Sequence, residues 1–264
     1  LKAKSASTHG YDMTDPAEIN PEIGGEAGFA KLIGKVREKG FGWIQDIVPN
    51  HMAYDSENKY ILDIFENGHL SRYFDYFDIE WEHPIENLHS KALAPFLGDF
   101  YGTCIDGAQI QLIFKEGGFF IKYYSIIFSL RVNDYAGILK YGLDELKNRL
   151  GDDLFFIRLT EIIGDLEKVD GREDHQERSS EITGIKSRLS ALYDSSGEIR
   201  QHIDQCLRRI NGIKDDPVSM NELDQILTRQ NFRFSFWKVG NDELNYRRFF
   251  TINELIGVKI EKEH

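Results

Sequence analysis

Apolar positions along the chain fall into helical and strand-like runs separated by polar punctuation. Phe29, Leu32, Ile33 and Val36 recur at helical spacing, and Gly40 ends that run. Residues 41–48 (FGWIQDIV) are nearly continuous in apolar side chains and predict a buried strand, closed by the polar Pro49-Asn50-His51. Residues 57–66 predict a short helix with Ile61, Leu62 and Phe65 on one side. Residues 109–114 and 119–124 predict two strands, with Lys115-Glu116-Gly117-Gly118 as the hairpin turn between them. Helical spacing then dominates. One run passes through Tyr135, Ile138, Leu139, Leu146 and Leu150, a second through Ile182, Ile185, Leu189 and Leu192, and a third through Ile199, Ile203, Leu207 and Ile210. A further helix is expected to begin at Ser219, with Glu222 completing a capping box, and to continue through Leu223, Ile226 and Leu227. Residues 168–180 (KVDGREDHQERSS) are charged and read as a solvated loop. No internal repeat is visible.

A complete eight-fold (β/α) barrel takes about 250 residues. The chain has 264, yet only one βα-type unit is legible, followed by a long mixed stretch. The expectation is therefore an excerpt from a larger enzyme. Leu1-Lys2-Ala3-Lys4 has no initiator methionine, so the lack of a signal peptide says little about export.

Hydrophobic residues make up 41% and charged residues 29%, enough apolar material to fill a core. Lys and Arg total 32 against 44 Asp and Glu, a net charge of −12 that repels phosphate backbones and anionic lipid. Neither nucleic acid nor a membrane is expected as a partner, and no apolar run approaches the ~18 residues of a membrane span. Cys104 and Cys206 form no metal motif and read as free thiols in a reducing compartment, so a cytoplasmic location is expected. Aromatics at 12% suit a sugar binder, whose ligand offers apolar C–H faces, and suit a packed core equally.

Three segments carry candidate chemistry: His9-Gly10-Tyr11-Asp12-Met13-Thr14-Asp15-Pro16, Asp46-Ile47-Val48-Pro49-Asn50-His51 and Asn245-Tyr246-Arg247-Arg248-Phe249-Phe250. In an extended strand Asp46 and Asn50 would share a face. Asp46, among Ile44, Ile47 and Val48, is expected to be buried and to need a cationic or donor partner. Read alone, Asp46 is more simply a structural acceptor than a catalytic acid, and the first segment is a turn around Asp15-Pro16.

Together the segments are far more specific. His-Gly-Tyr-Asp followed some 35 residues later by Asp-x-x-x-Asn-His resembles the α-amylase superfamily, and DIVPNH resembles its first conserved region, at the end of barrel strand 3. The run STHGYDMTDPAEINPEIGGEAGF, the long insertion and NYRRFF narrow the resemblance to the maltooligosyltrehalose synthase family. The implied fold class is α/β, a partial (β/α)8 TIM-barrel fragment carrying a long, mostly helical α+β insertion after barrel strand 3. Residues 1–52 would be the barrel piece, 53–244 the inserted subdomain and 245–264 the return toward the barrel.

The resemblance implies residue roles as well. Tyr11 matches the tyrosine that stacks on the sugar at the cleavage subsite, Asp12 a neighbouring position that hydrogen-bonds it, and His51 the imidazole that binds its hydroxyls. His9, Asp46 and Asn50 would support the site, Asp46 as a buried structural carboxylate whose usual partner is an arginine beside the nucleophile. Asn50 matches an amide that helps bind calcium in some amylases, but its surroundings show no metal cage, so neither metal nor cofactor is expected. Tyr246, Arg247 and Arg248 match a family signature; substrate contact and a salt-bridged junction both stay open for them.

The implied reaction of the full enzyme is intramolecular transglycosylation. One carboxylate attacks the anomeric carbon of the reducing-end α-1,4 bond and another protonates the leaving oxygen, the pair ~5–5.5 Å apart as in retaining enzymes. The released glucose stays bound, and its own anomeric hydroxyl takes the glycosyl group to form an α,α-1,1 trehalose end. A trehalose-releasing hydrolase is the implied functional partner, and maltooligosaccharide the substrate. The family's catalytic carboxylates lie on strands 4, 5 and 7, so none of Glu261, Glu263, Asp242 and Glu243 is assigned a catalytic role, and the chain alone is expected to be inactive. Two rivals stand beside this reading: an α-amylase-type hydrolase, and a non-catalytic glycan-binding or structural fragment.

Overall fold

The computed structural model describes residues 1–169, 174–238 and 240–261. In chain order the elements are β1 (Lys2–Ala3), β2 (Met13–Asp15), α1 (Gly25–Glu38), β3 (His51–Ala53), α2 (Lys59–Asn67), β4 (Ala92–Leu97), α3 (Tyr101–Asp106), β5 (Ile110–Lys115), β6 (Gly118–Tyr123), β7 (Ile126–Ser129), α4 (Tyr135–Leu139), α5 (Leu143–Leu150), α6 (Leu154–Val169), α7 (His175–Ser195), α8 (Gly197–Asn211), α9 (Asn221–Thr228), β8 (Phe232–Phe236), α10 (Gly240–Glu243) and β9 (Leu255–Gly257). The strands form four small sheets. β1 pairs with β2 and β3 with β9, both antiparallel; β4 pairs with β8 in parallel; β5, β6 and β7 make an antiparallel meander.

The core is aromatic where these sheets meet. Phe65 from α2 lies 4.7 Å from Phe232 and 5.0 Å from Phe128 between ring centroids, and Tyr54 lies 5.2 Å from Tyr246. Much of the aromatic supply is therefore spent on packing, where such pairs add to the gain from burial. Helix α2 starts at Asn58, whose buried side chain accepts from the N–H groups of Tyr60 (3.1 Å) and Ile61 (3.4 Å) and donates to the Ala53 carbonyl (2.7 Å). One amide thus caps a helix and ties it to β3. The helical layer packs over the meander, with Ile185, Leu189, Ile199 and Ile203 fully buried.

Several expectations need correction. Residues 41–48 form no strand, and Phe41, Ile44 and Ile47 are 71%, 96% and 56% exposed. A buried strand needs hydrogen-bonded neighbours on both sides, and among the described residues this segment has no strand partner; Trp43 meets the edge of Phe29 on α1, at 5.7 Å. Asp46 is consequently exposed rather than buried, and the shared strand face with Asn50 does not form. The single helix expected from Tyr135 to Leu150 is split, because Gly142 takes a φ of +69° and starts α5 afresh. Helix α6 was not expected as a separate element. The expected loop over residues 168–180 is largely helix: α6 runs to Val169, Asp174 caps α7, and residues 170–173 lie outside the described residues. Glu177 stays on the exposed face of α7, but Arg178 is buried on the inner face beside Ile182, Ile185 and Leu189, where its guanidinium donates to the Val169 carbonyl. Finally, no capping box forms at Ser219. Its hydroxyl accepts from the Ile213 N–H at 2.7 Å inside the preceding loop, and Glu222 pairs with Arg209 at 2.9 Å.

Candidate functional site

Three stretches far apart in sequence meet at β3. The first is the loop before β2. Gly10 adopts a φ of +77°, its N–H donates to Ser7 Oγ at 3.0 Å, and the Tyr11 N–H donates to His9 Nδ1 at 3.0 Å. The Ser7 hydroxyl donates to the Asp12 carboxylate, whose main-chain carbonyl accepts from the Lys4 N–H at 2.9 Å. His9 stacks on Tyr11 at 5.8 Å, and Tyr11 remains 48% exposed. Behind the loop, Asp15 anchors it to α2, accepting from Tyr60 (3.1 Å), the Ala17 N–H (2.9 Å) and the Lys59 ammonium. Burial pushes the Asp15 carboxyl up, but these three donors outweigh it and hold it below the usual carboxylate range.

The second stretch runs from Asp46 to His51. Asp46 finds its partner in Tyr11, whose hydroxyl donates to Oδ2 at 3.1 Å; the adjacent carboxylate raises the phenol's pKa. The arginine that the resemblance gives Asp46 as a partner sits beside the nucleophile, which is expected outside these 264 residues. His51 is only 2% exposed. Its Nδ1 lies 2.8 Å from Asn50 Oδ1, and an amide oxygen accepts, so that nitrogen carries the proton. Nε2 is buried and has no hydrogen-bond partner among the described residues. Burial lowers the imidazole pKa below its ordinary 6.5, against an opposing pull from the Tyr11 main chain.

The third stretch returns as residues 245–258. β9 pairs with β3, His51 opposite Gly257, and the Val258 N–H donates to the Asn50 carbonyl at 3.0 Å. Phe249 stacks on His51 with centroids 4.1 Å apart. Tyr246 is buried and donates to the Asn253 carbonyl (2.9 Å); Arg248 reaches Asn253 Oδ1 (2.5 Å); Arg247 pairs with Asp78 (2.9 Å) and donates to the Val258 carbonyl (2.8 Å). All three fasten the returning chain to its neighbours. Asn245, not singled out by sequence reasoning, does most: its side chain accepts from the Leu93 N–H (2.8 Å) and donates to the Glu80 (3.1 Å) and Lys91 (2.7 Å) carbonyls. Phe249 was missed too. Both sit in the NYRRFF run, but nothing in the sequence says what they touch.

The structure thus assembles an exposed tyrosine and carboxylate, able to stack on and hydrogen-bond a polyhydroxylated ligand, beside a buried imidazole with an unsatisfied nitrogen. Residues 2–103, which include the first two segments, match the family described as alpha amylase, catalytic domain. Over its whole length the chain superposes on a glycosyltrehalose synthase with a TM-score of 0.61 at 27% identity, covering 25% of that structure. The chain resembles the maltooligosyl trehalose synthases. A hypothetical maltooligosyl trehalose synthase of Sulfolobus tokodaii superposes on 100% of the chain (TM-score 0.57, 26% identity, 23% of that structure). A Mycobacterium tuberculosis protein described as a maltooligosyl trehalose synthase is 38% identical over 117 residues, 42% of this chain and 15% of that protein. A cyclomaltodextrinase of Thermoanaerobacter pseudethanolicus is 39% identical over 87 residues, 33% of this chain and 14% of that protein. The chain therefore spans about one-seventh of these two curated relatives and about a quarter of the maltooligosyl trehalose synthase structures. Its fold is of the α/β amylase type.

Proposed function

We propose that the chain is part of an enzyme that converts the reducing-end α-1,4 bond of a maltooligosaccharide to α,α-1,1, forming a maltooligosyl trehalose. The observation that carries this reading is the meeting of Tyr11, Asp46, Asn50 and His51 at one end of β3, with the Tyr11 ring half exposed and open to stacking by a sugar. In this reading Tyr11 is the stacking surface, Asp12 a hydrogen-bonding neighbour, and His51 Nε2 accepts from a glucosyl hydroxyl. His9, Asp46, Asn50, Tyr246, Arg247 and Arg248 keep these groups in place. Residues 1–52 belong to a (β/α) barrel whose other strands come from the longer protein, 53–244 form an inserted subdomain, and 245–264 lead back to the barrel. The pairing of β9 with β3 supports that division, since it returns the chain to where the insertion begins.

The nucleophile and the acid/base carboxylic acid lie, in this reading, outside these 264 residues. The enzyme works in a reducing cytoplasm alongside a trehalose-releasing hydrolase; the two buried free thiols fit such a compartment. The matched cyclomaltodextrinase favours one second reading, hydrolysis of α-glucans. Product analysis on maltopentaose separates them. The full-length protein should give a non-reducing pentasaccharide with a trehalose end, and the 264-residue chain alone no turnover. Glucose and short maltodextrins as the main products would replace the transfer reading with hydrolysis.

A further inference from the structure

A second cleft, of about 460 Å³, opens where several chain ends converge just past β3. That volume falls within the ~300–1,000 Å³ of small-molecule sites. Lys4 follows β1, Asp55 follows β3, Phe96 sits near the end of β4, Trp237 follows β8, and Thr251 and Glu254 precede β9. Trp237 is 49% exposed. Its main-chain N–H donates to the Leu97 carbonyl (3.0 Å), and the Lys238 ammonium lies 5.5 Å from the ring centroid. Lys4 is paired with Asp55 at 2.7 Å.

The chemistry of this lining narrows the ligand. An anion would face Asp55 and Glu254, with the Lys4 ammonium already paired to Asp55. A purely apolar ligand would leave carboxylates and hydroxyls without partners, a cost of about 1–3 kcal/mol each when buried. A neutral polyhydroxylated ring meets both demands, laying its apolar face on an indole and its rim of hydroxyls on fixed charges. The cleft also borders the candidate site: the Lys4 N–H is hydrogen-bonded to the carbonyl of Asp12, next to Tyr11.

We infer that this cleft is an additional α-glucan subsite, with Trp237 as its stacking platform and the Lys4–Asp55 pair and Glu254 as its hydroxyl-binding groups. The inference rests on the reading of the ligand as a maltooligosaccharide. A glucan long enough to reach both Tyr11 and Trp237 then binds more tightly than maltose, which fills one site only.

Calorimetric titration of maltose and maltoheptaose into the full-length protein tests this, with the variants Trp237→Ala, Trp237→Phe and Tyr11→Ala. The expected result is that Trp237→Ala weakens maltoheptaose roughly tenfold, a loss on the scale of one aromatic contact, and leaves maltose nearly unchanged. Trp237→Phe, which keeps a platform, should retain most of the affinity. Melting curves check that each variant is folded. Unchanged maltoheptaose affinity in folded Trp237→Ala, with affinity lost in Tyr11→Ala, overturns the subsite and leaves the glucan reading standing. Failure of the unaltered protein to bind either sugar overturns both.

Discussion

His51 is a buried base whose environment opposes charge. Its folded pKa lies below the ordinary 6.5, so on unfolding the ring gains affinity for a proton. The unfolded chain then binds more protons between the folded pKa and about 6.5, and stability falls as pH drops through that window. His202 on α8 shifts in the same direction, from burial first, while its Nε2 lies 2.9 Å from the Leu139 carbonyl. Melting temperature should accordingly decline below about pH 6.5, and the double variant His51→Gln/His202→Gln should flatten that part of the curve. An unaltered slope in the double variant would show that other groups carry the dependence. Asn245 makes a sharper case. Asn245→Ala removes three side-chain hydrogen bonds and strands the N–H of the fully buried Leu93. A loss of roughly 2–4 kcal/mol is expected, read from urea unfolding midpoints. A change below about 0.5 kcal/mol, typical of an ordinary surface site, would contradict the anchoring role.

At the scale of elements, the β5–β6 hairpin was legible because its turn chemistry is local. Glu116 and Gly117 take φ values of +51° and +76°, as a tight two-residue turn demands. What the sequence did not show is that α7 lies against that turn. A Cβ on Gly117 would stand 1.9 Å from the Lys186 carbonyl oxygen, while the Lys186 ammonium reaches the buried Glu66 of α2 at 2.5 Å. Gly117→Ala should therefore cost on the order of 3 kcal/mol, more than the ~1 kcal/mol of a strained turn alone, because α7 must shift as well. Denaturation of this variant beside Gly142→Ala makes the comparison: Gly142 also has a left-handed φ, of +69°, and its Cβ position meets only the flexible end of Glu145, at 3.9 Å. Equal losses in the two would mean that helix docking is not strained.

At the scale of the whole molecule, the apolar residues 41–47 lie on the surface here. Among the described residues, the amides of 42–48 donate no backbone hydrogen bond, while the Phe41 N–H is tied to the Val36 carbonyl at 3.0 Å. Hydrogen exchange in the 264-residue chain should be fast over 42–48 and slow over β4 and β8, where Ala92, Ala94 and Phe232 are almost fully buried. In the full-length protein, the proposed barrel neighbours should protect 42–48. Equal exchange in both would argue against a barrel strand there.

Local patterning determined much of this protein. The periodic apolar positions of α2, α7 and α8 and the turn residues of the first hairpin specify their elements through nearest-neighbour geometry. The segments around Tyr11 and His51 stood out through their resemblance to a known family, and their meeting at β3 came from the fold. Tertiary structure alone decided the rest. Strand identity depends on a partner's hydrogen bonds, which the apolar run 41–48 lacks here and which the short β3 obtains from β9, some 200 residues on. The partners of Asp46, Asn245 and Phe249 likewise come from distant stretches, and no local signal encodes a contact that exists only after the chain has closed on itself.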